Sequence, residues 1–395
     1  MSESQFDAFV AGAGIWGCTV ARRLAEQGKR VLVLEKRPVV GGNVRCEIDP
    51  STGIEVHTYG SHIFHTKIPS VWSFVNRFVS FNGYQHKVLA WYKGRAYYLP
   101  LGLPLINKFF GVELKPGEVG AFLDGTFTPA GADHLSPVED RRQAIFDAFF
   151  RGYTSKQWGK APEEIDPSII KRVPVRSNYD INYFNDYWQG IPMEGYNALF
   201  ERMLDHPGIT VRTNASLKLE EGAFVIADGS GRDGMRIPCA DGSVRVYYSG
   251  PIDALFGYKY GSLPWRTLRF ECEVLDEIDH QGTSVVNYTE AEVPYTRVHE
   301  FKHYHPEPVG PLSQAENLKS LKRTIVMREY SATWQPGDEP YYPVNNPESE
   351  ALLKRYQEEA KACPNLVVGG RLGAYRYFDM DKSIEAALEL PLTQT

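Results

Sequence analysis

An α/β protein is predicted, in which a strand–turn–helix domain is interrupted by a helical segment and by an antiparallel β-sheet segment. Three observations predict it. A glycine-rich turn sits between an apolar run and a helical stretch at the N-terminus, helical spacing begins past Pro104, and strand-like runs occupy residues 85–99 and return from Arg266 to about Tyr330. At 395 residues the chain is long enough for two or three cores.

The first element is the apolar run Phe6–Ala11. Gly12, Gly14 and Gly17 follow as G-x-G-x-x-G, and the helical stretch TVARRLAEQGK closes at Gly28. The run Val31–Glu35 reads as a second buried strand ending in an acid, 18 residues after Gly17. That distance suits a carboxylate that accepts the ribose hydroxyls of an adenosine whose pyrophosphate rests on the helix N-terminus. A second match at Gly229, Gly231 and Gly234 is followed by Pro238 and an Asp241-Gly242 turn between β-rich runs. It offers no helix N-terminus and reads as a hairpin loop. After Glu35 come Lys36, Arg37, Gly41, Gly42 and Asn43, a stretch that resembles the FAD-binding segment of flavoproteins of the glutathione reductase and amine oxidase group. The expected fold is therefore a Rossmann-like FAD-binding domain carrying the two inserted segments. Near the C-terminus Leu366–Val368 reads as a strand, Gly369-Gly370 as a turn, and Asp379–Ser383 as the start of a helix whose positive end favours charge on a reduced flavin. The first domain would then draw on both ends of the chain.

Between these ends, the alternation around Lys93-Gly94 predicts a β-hairpin. Ser136-Pro137-Val138-Glu139 is a capping box opening a helix through RRQAIFDAFFRGY. The polar, aromatic stretch after Lys171 predicts a mobile loop at about 168–182. The expected plan places the FAD-binding domain at 1–84, 189–264 and 331–395, the β-sheet domain at 85–103 and 265–330, and the helical domain at 104–188.

Composition narrows the function classes. Hydrophobic residues at 43% and charged residues at 23% are ordinary for a globular protein, and a net charge of −6 argues against a generalised nucleic-acid surface. Five scattered cysteines without a C-x-x-C pair do not form a disulfide framework. With no apolar leader and no run of 18 apolar residues, a cytoplasmic protein without membrane partners is expected.

Seven segments resemble the UDP-galactopyranose mutase family along nearly the whole chain: GSHIFHT (60–66), FFRGYTSKQWG (149–159), IKRVPVRSNYDINYF (170–184), SGPID (249–253), PYTRVHEFKH (294–303), REYS (328–331) and GGRLGAYRYFDMD (369–381). The resemblance implies a flavin-dependent isomerase. Its uridine site would be Phe149, Phe150, Tyr153, Thr154, Trp158 and Asn287, rings that stack on a base. Without the resemblance, the FF-x-x-Y-x-x-x-x-W spacing equally describes a core helical face. The pyrophosphate would meet Arg172, Arg297, Tyr183, Tyr330 and Tyr377, with Arg172 on the mobile loop and Arg297 in a strand-like run. Arg176 is the rival for the loop role, and counting 14 residues from Trp158, as the family does, selects Arg172. His62 and His65 would lie beside the flavin, His65 nearest the reacting centre, with His86 near the site. No third residue at site-like spacing makes the His62–His65 pair a metal site. Gly12, Gly14, Gly17, Glu35, Lys36, Gly42, Asn43, His62, Arg266, Arg371, Asp379 and Met380 would hold the cofactor.

The reaction so implied interconverts UDP-galactopyranose and UDP-galactofuranose through a covalent adduct of the sugar with N5 of reduced FAD, with Arg172 and Arg297 holding the leaving pyrophosphate. Alternatives are a mutase for UDP-N-acetylgalactosamine or a dTDP- or GDP-hexose, an amine-oxidase-type oxidoreductase, and a nucleotide-sugar binder without turnover. A homo-oligomer is expected. The chain departs from the family pattern at Ser61, where alanine or proline is usual, and at Glu220–Tyr248, which reads as an inserted hairpin bearing on oligomer surfaces.

Overall fold

The computed structural model describes residues 6–132, 135, 141–164, 174–228, 233–240, 244–305 and 321–392. Arg172, the capping box at 136–139 and the loop of the second glycine motif lie outside them.

The apolar runs at the N-terminus form strands Ala8–Ala11 and Val31–Leu34, buried on both faces: Val10 and Val33 pack in one core with helix Ile15–Glu26, and Phe9 and Leu32 in a second on the other side. Helix Ile15–Glu26 connects them and buries Trp16, Val20, Ala21 and Leu24 along one face. These strands are the centre of a five-stranded parallel sheet ordered Leu366–Val368, Arg245–Tyr248, Ala8–Ala11, Val31–Leu34, Ile209–Arg212. The chain thus leaves and re-enters this sheet, and strand Leu366–Val368 completes one edge.

The stretch from Glu220 to Tyr248 is not a peripheral addition. Strands Ala223–Asp228 and Asp233–Pro238 continue antiparallel from Ala215–Glu220 as a three-stranded sheet. Phe224, Ile226 and Ile237 of that sheet are buried in one core with Phe9, Leu32 and Trp265, and Arg245–Tyr248 is an inner strand of the parallel sheet.

A seven-stranded sheet runs Tyr342–Pro343, Trp265–Leu275, Thr324–Thr333, Arg297–Glu300, Val285–Tyr288, Val88–Tyr92, Arg95–Leu99. Its pairings are antiparallel except that of Val285–Tyr288 with Val88–Tyr92, where the hairpin joins the later strands in parallel. Helices Leu103–Phe110, Val119–Leu123, Arg141–Phe146 and Gly152–Trp158 form a third layer around Ile106, Phe122, Phe146 and Phe149. A wide π-helical turn at Asp147–Arg151 offsets the last helix from the one before it. Of the predicted loop, the described part is pinned: the Arg176 amide donates to the Leu101 carbonyl at 2.9 Å, and its guanidinium donates to the Asn182 carbonyl at 2.5 Å.

Candidate active site

A cleft of about 670 Å³ opens where the parallel strands end and the seven-stranded sheet faces them. Carboxyl ends of parallel strands are where such folds place ligands, because the following turns and helix N-termini present free N–H groups there.

At one end the cleft is lined by Gly12, Gly14, Glu35, Lys36, Gly42 and Asn43. Gly12 has φ +103°, and a Cβ on it would lie 2.2 Å from Ser249 Oγ. Helix Ile15–Glu26 carries no side-chain cap, which leaves its first amides to the cleft. Glu35, buried, accepts from the Ala13 amide at 2.8 Å and the Arg37 amide at 3.0 Å, so its carboxylate is fixed at the mouth of the glycine turn. Lys36 and Arg37 both pair with Glu339, at 3.1 and 2.8 Å, and Arg37 also holds the Asn43 side chain. By donor set and by shape this end of the cleft suits a dinucleotide. Gly17 does not line the cleft. Its place is beneath the turn, where a Cβ would meet the Gly12 carbonyl oxygen at 2.0 Å.

The middle of the cleft holds His62, Arg371, Asp379 and Met380. His62 Nδ1 lies 2.6 Å from the Gly60 carbonyl, and burial, reinforced by Arg371, lowers its pKa to about 4, so the ring is neutral at pH 7. Arg371 donates to the Phe378 carbonyl at 3.1 Å and lies over the Tyr377 ring. Asp379 and Met380 begin the ten-residue helix Met380–Glu389, whose N-terminus faces this region. A flat redox ring that gains negative charge is suited by that helix end and by Arg371.

At the far end stand His65, His86, Tyr183, Asn287, Arg297 and Glu329. His65 bonds Asp186 at 2.8 Å and stacks on Phe184 at 3.7 Å between centroids. Burial, with Arg297 nearby, lowers the His86 pKa to about 3. Asn287 Oδ1 is buried without a partner, an acceptor left for a ligand. Arg297 donates to Tyr153 Oη at 2.5 Å, and its Nε lies 3.3 Å from Glu329 Oε1. Burial opposes the charge on Arg297, but the Glu329 carboxylate outweighs it and raises the pKa.

Several expected site residues stand elsewhere. Phe149 is buried among Tyr92, Tyr97 and Phe109, with ring centroids at 5.7, 5.0 and 5.2 Å, so for this residue the core reading of the aromatic spacing holds. Phe150, Thr154 and Trp158 do not line the cleft, and Tyr153 reaches it only through Arg297. Tyr330 follows Glu329 on a strand and so faces away from it. Its hydroxyl donates to Glu271 at 2.6 Å, and Arg269 covers its ring. Tyr377 does line the cleft and stacks on Tyr342.

Arg266 is likewise outside the cleft. It donates to the carbonyls of Gln157 and Lys156 and to the hydroxyls of Thr333 and Ser331, clamping the end of helix Gly152–Trp158 onto the sheet. Arg266→Met is therefore expected to cost about 2–3 kcal/mol of stability by orphaning these groups, read as a lowered Tm.

Residues that sequence reading missed are Glu329, His299 and Tyr342. The signal was available only through strand register: Arg297 pairs with Glu329, and His299 shares the face of Arg297. Among the described residues, Cys46–Glu55–His57 and Asp279–Glu300–His303 group potential metal ligands; neither includes His62 or His65, although the His62 amide donates to His57 Nδ1 at 2.9 Å. Among the same residues no helix is long and apolar enough to cross a membrane.

Comparison with known proteins agrees with this architecture. Residues 10–78 match an NAD(P)-binding Rossmann-like domain family, and residues 148–377 match the UDP-galactopyranose mutase family. A probable UDP-galactopyranose mutase of Klebsiella pneumoniae is 37% identical over 387 residues, covering 96% of this chain and 92% of the relative. A dTDP-fucopyranose mutase of Escherichia coli is 36% identical, with 96% of each chain covered. The crystal structure of a reduced UDP-galactopyranose mutase shares the fold, with a TM-score of 0.69 at 18% identity over 97% of this chain and 94% of that one. The chain belongs to the UDP-galactopyranose mutase family and is a mutase enzyme.

Proposed function

We propose that this mutase interconverts UDP-galactopyranose and UDP-galactofuranose and that it works with reduced FAD. The observation that carries the reading is the single cleft that joins a dinucleotide cradle to Arg297 and Asn287 past His62 and Arg371. A bound flavin would rest its pyrophosphate on the turn at Gly12 and Gly14, its adenosine ribose on Glu35, and its ring against His62, Arg371 and the helix starting at Met380. When bound and reduced it supplies the nucleophile for the anomeric carbon.

The chain's own residues do the rest by position and charge. Arg297, kept charged by Glu329, binds the pyrophosphate as it leaves and holds it for return, and Arg172 is proposed as the second cation of that grip. Asn287 offers its unpartnered carbonyl to the nucleobase. Neutral His62 adds no charge of its own beside the ring, and His65, fixed by Asp186 and Phe184, limits how the sugar sits.

Enzyme reduced with dithionite is expected to convert UDP-galactofuranose to UDP-galactopyranose, with oxidised enzyme nearly silent. Equal rates in both redox states would overturn the reading, as would net bleaching of flavin by substrate. The dTDP-fucopyranose mutase relative supports a second reading, a dTDP-hexose substrate. The same assay run with dTDP-linked sugars separates the two by kcat/KM.

A further inference from the structure

Ser61, the departure from the family pattern, does not stand alone. Its Oγ lies 2.5 Å from His299 Nδ1, and it also accepts from the Tyr304 hydroxyl. His299 Nε2 is 3.1 Å from Glu329 Oε2, and Glu329 Oε1 faces Arg297 Nε. His299 is wholly buried and Glu329 is 2% exposed.

The donor directions follow from the chemistry. Ionised Glu329 only accepts, so His299 Nε2 carries a hydrogen. Burial lowers the His299 pKa, so the ring is neutral and Nδ1 accepts from Ser61. Tyr304 donates to Ser61, Ser61 to His299, and His299 to Glu329, a chain with one polarity. Thr296 adds a hydroxyl to Glu329 Oε1 at 3.1 Å, completing the donors that hold the carboxylate. Ser61, Glu329 and Arg297 line the cleft, whereas His299 does not.

From this arrangement we infer that His299 is a positioning residue for the mutase reaction: with Ser61 it locks the Glu329 carboxylate against Arg297 and so fixes how the guanidinium meets the substrate's phosphates. The inference rests on the mutase reading of the cleft. A leucine at 299 keeps the volume but leaves one Glu329 oxygen without its donor, free to swing and take the guanidinium with it. A glutamine keeps an N–H at the position of Nε2.

The test uses flavin-loaded holoenzyme of the parent, His299→Leu, His299→Gln, Ser61→Ala and the Ser61→Ala/His299→Leu double variant. The Kd for UDP and for dTDP, and kcat, KM and Tm, are measured for each. His299→Leu is expected to raise Kd and KM about tenfold, the worth of one hydrogen bond to a charged group, with kcat within about threefold. His299→Gln should restore the parent Kd, and the double variant should bind no worse than His299→Leu, because both act through one chain.

A His299→Leu Kd within about twofold of the parent overturns the inference, as does a His299→Gln as weak as His299→Leu. If His299→Leu does not accumulate folded, Ser61→Ala against His299→Gln decides: Ser61→Ala should weaken binding about threefold, and no change overturns the inference. A parent that binds neither nucleotide and turns over neither sugar instead removes the mutase reading itself.

Discussion

Replacing Arg297 by alanine is expected to lower kcat/KM of the reduced enzyme on the order of 10³-fold, the scale of losing one preorganised charge-assisted contact to a leaving group. The geometry explains why the effect is large. The guanidinium is held by Tyr153 on one nitrogen and faces Glu329 with another, so the fork meets the cleft in one orientation. The substitution also strands Glu329, a 2% exposed carboxylate, at a cost of about 3–5 kcal/mol in stability. Arg297→Ala combined with Glu329→Gln relieves that cost and leaves only the loss of substrate contact. Arg297→Lys should keep the pairing with Glu329 but lose the fork, and recover only part of the rate. Steady-state kinetics on reduced enzyme with Tm on the same samples separate these effects. A folded Arg297→Ala within about tenfold of the parent would remove Arg297 from the chemistry.

The second large effect is expected at Gly17. A Cβ there meets the Gly12 carbonyl oxygen at 2.0 Å and its carbon at 3.2 Å, both backbone. The turn cannot yield, because the Gly12 amide is bonded to Leu34 at 2.7 Å and the Ala11 carbonyl to Ser249 at 2.9 Å. Gly17→Ala must therefore push helix Ile15–Glu26 off the sheet, costing more than about 4 kcal/mol. Purified protein should contain less than about a tenth of the parent's flavin by absorbance, with a lowered Tm. Gly28→Ala is the control. Nothing lies within 4 Å of its added Cβ, and only its φ of +81° is strained, so about 1 kcal/mol is lost and flavin is retained. A yellow, stable Gly17→Ala would contradict the close approach.

The glycine turn, its flanking strands and Glu35 were legible because each obeys a local rule that the sequence states by spacing alone. Arg297, Asn287, His62 and Arg371 were reached through resemblance, and the fold brings them to one cleft. What stayed hidden depends on pairing between distant strands. Glu329 matters because its strand places it opposite Arg297, and nothing in REYS separates it from the neighbouring Tyr330, which faces the other way. Arg266 was expected at the cofactor through the resemblance; the sequence places it on a strand but does not say which layer that strand's side chain meets, and it meets the end of helix Gly152–Trp158. Phe149 follows the same logic: an aromatic pair on a helix is read by its surroundings, and these proved to be Tyr92 and Tyr97.

The edge strand Leu366–Val368 and the helix Met380–Glu389 have a consequence for how this enzyme comes into being. They are synthesised well after the glycine turn and its flanking strands, yet they supply one margin of the parallel sheet and the wall of the cleft at Arg371, Asp379 and Met380. A nascent chain that has not yet reached Leu366 carries the phosphate turn but lacks the surface that would enclose a flavin ring. Loading must therefore wait until these elements have formed, and a product truncated before Leu366 would be colourless and would leave the Arg245–Tyr248 strand with an open edge, the kind of surface that chaperones and proteases act on.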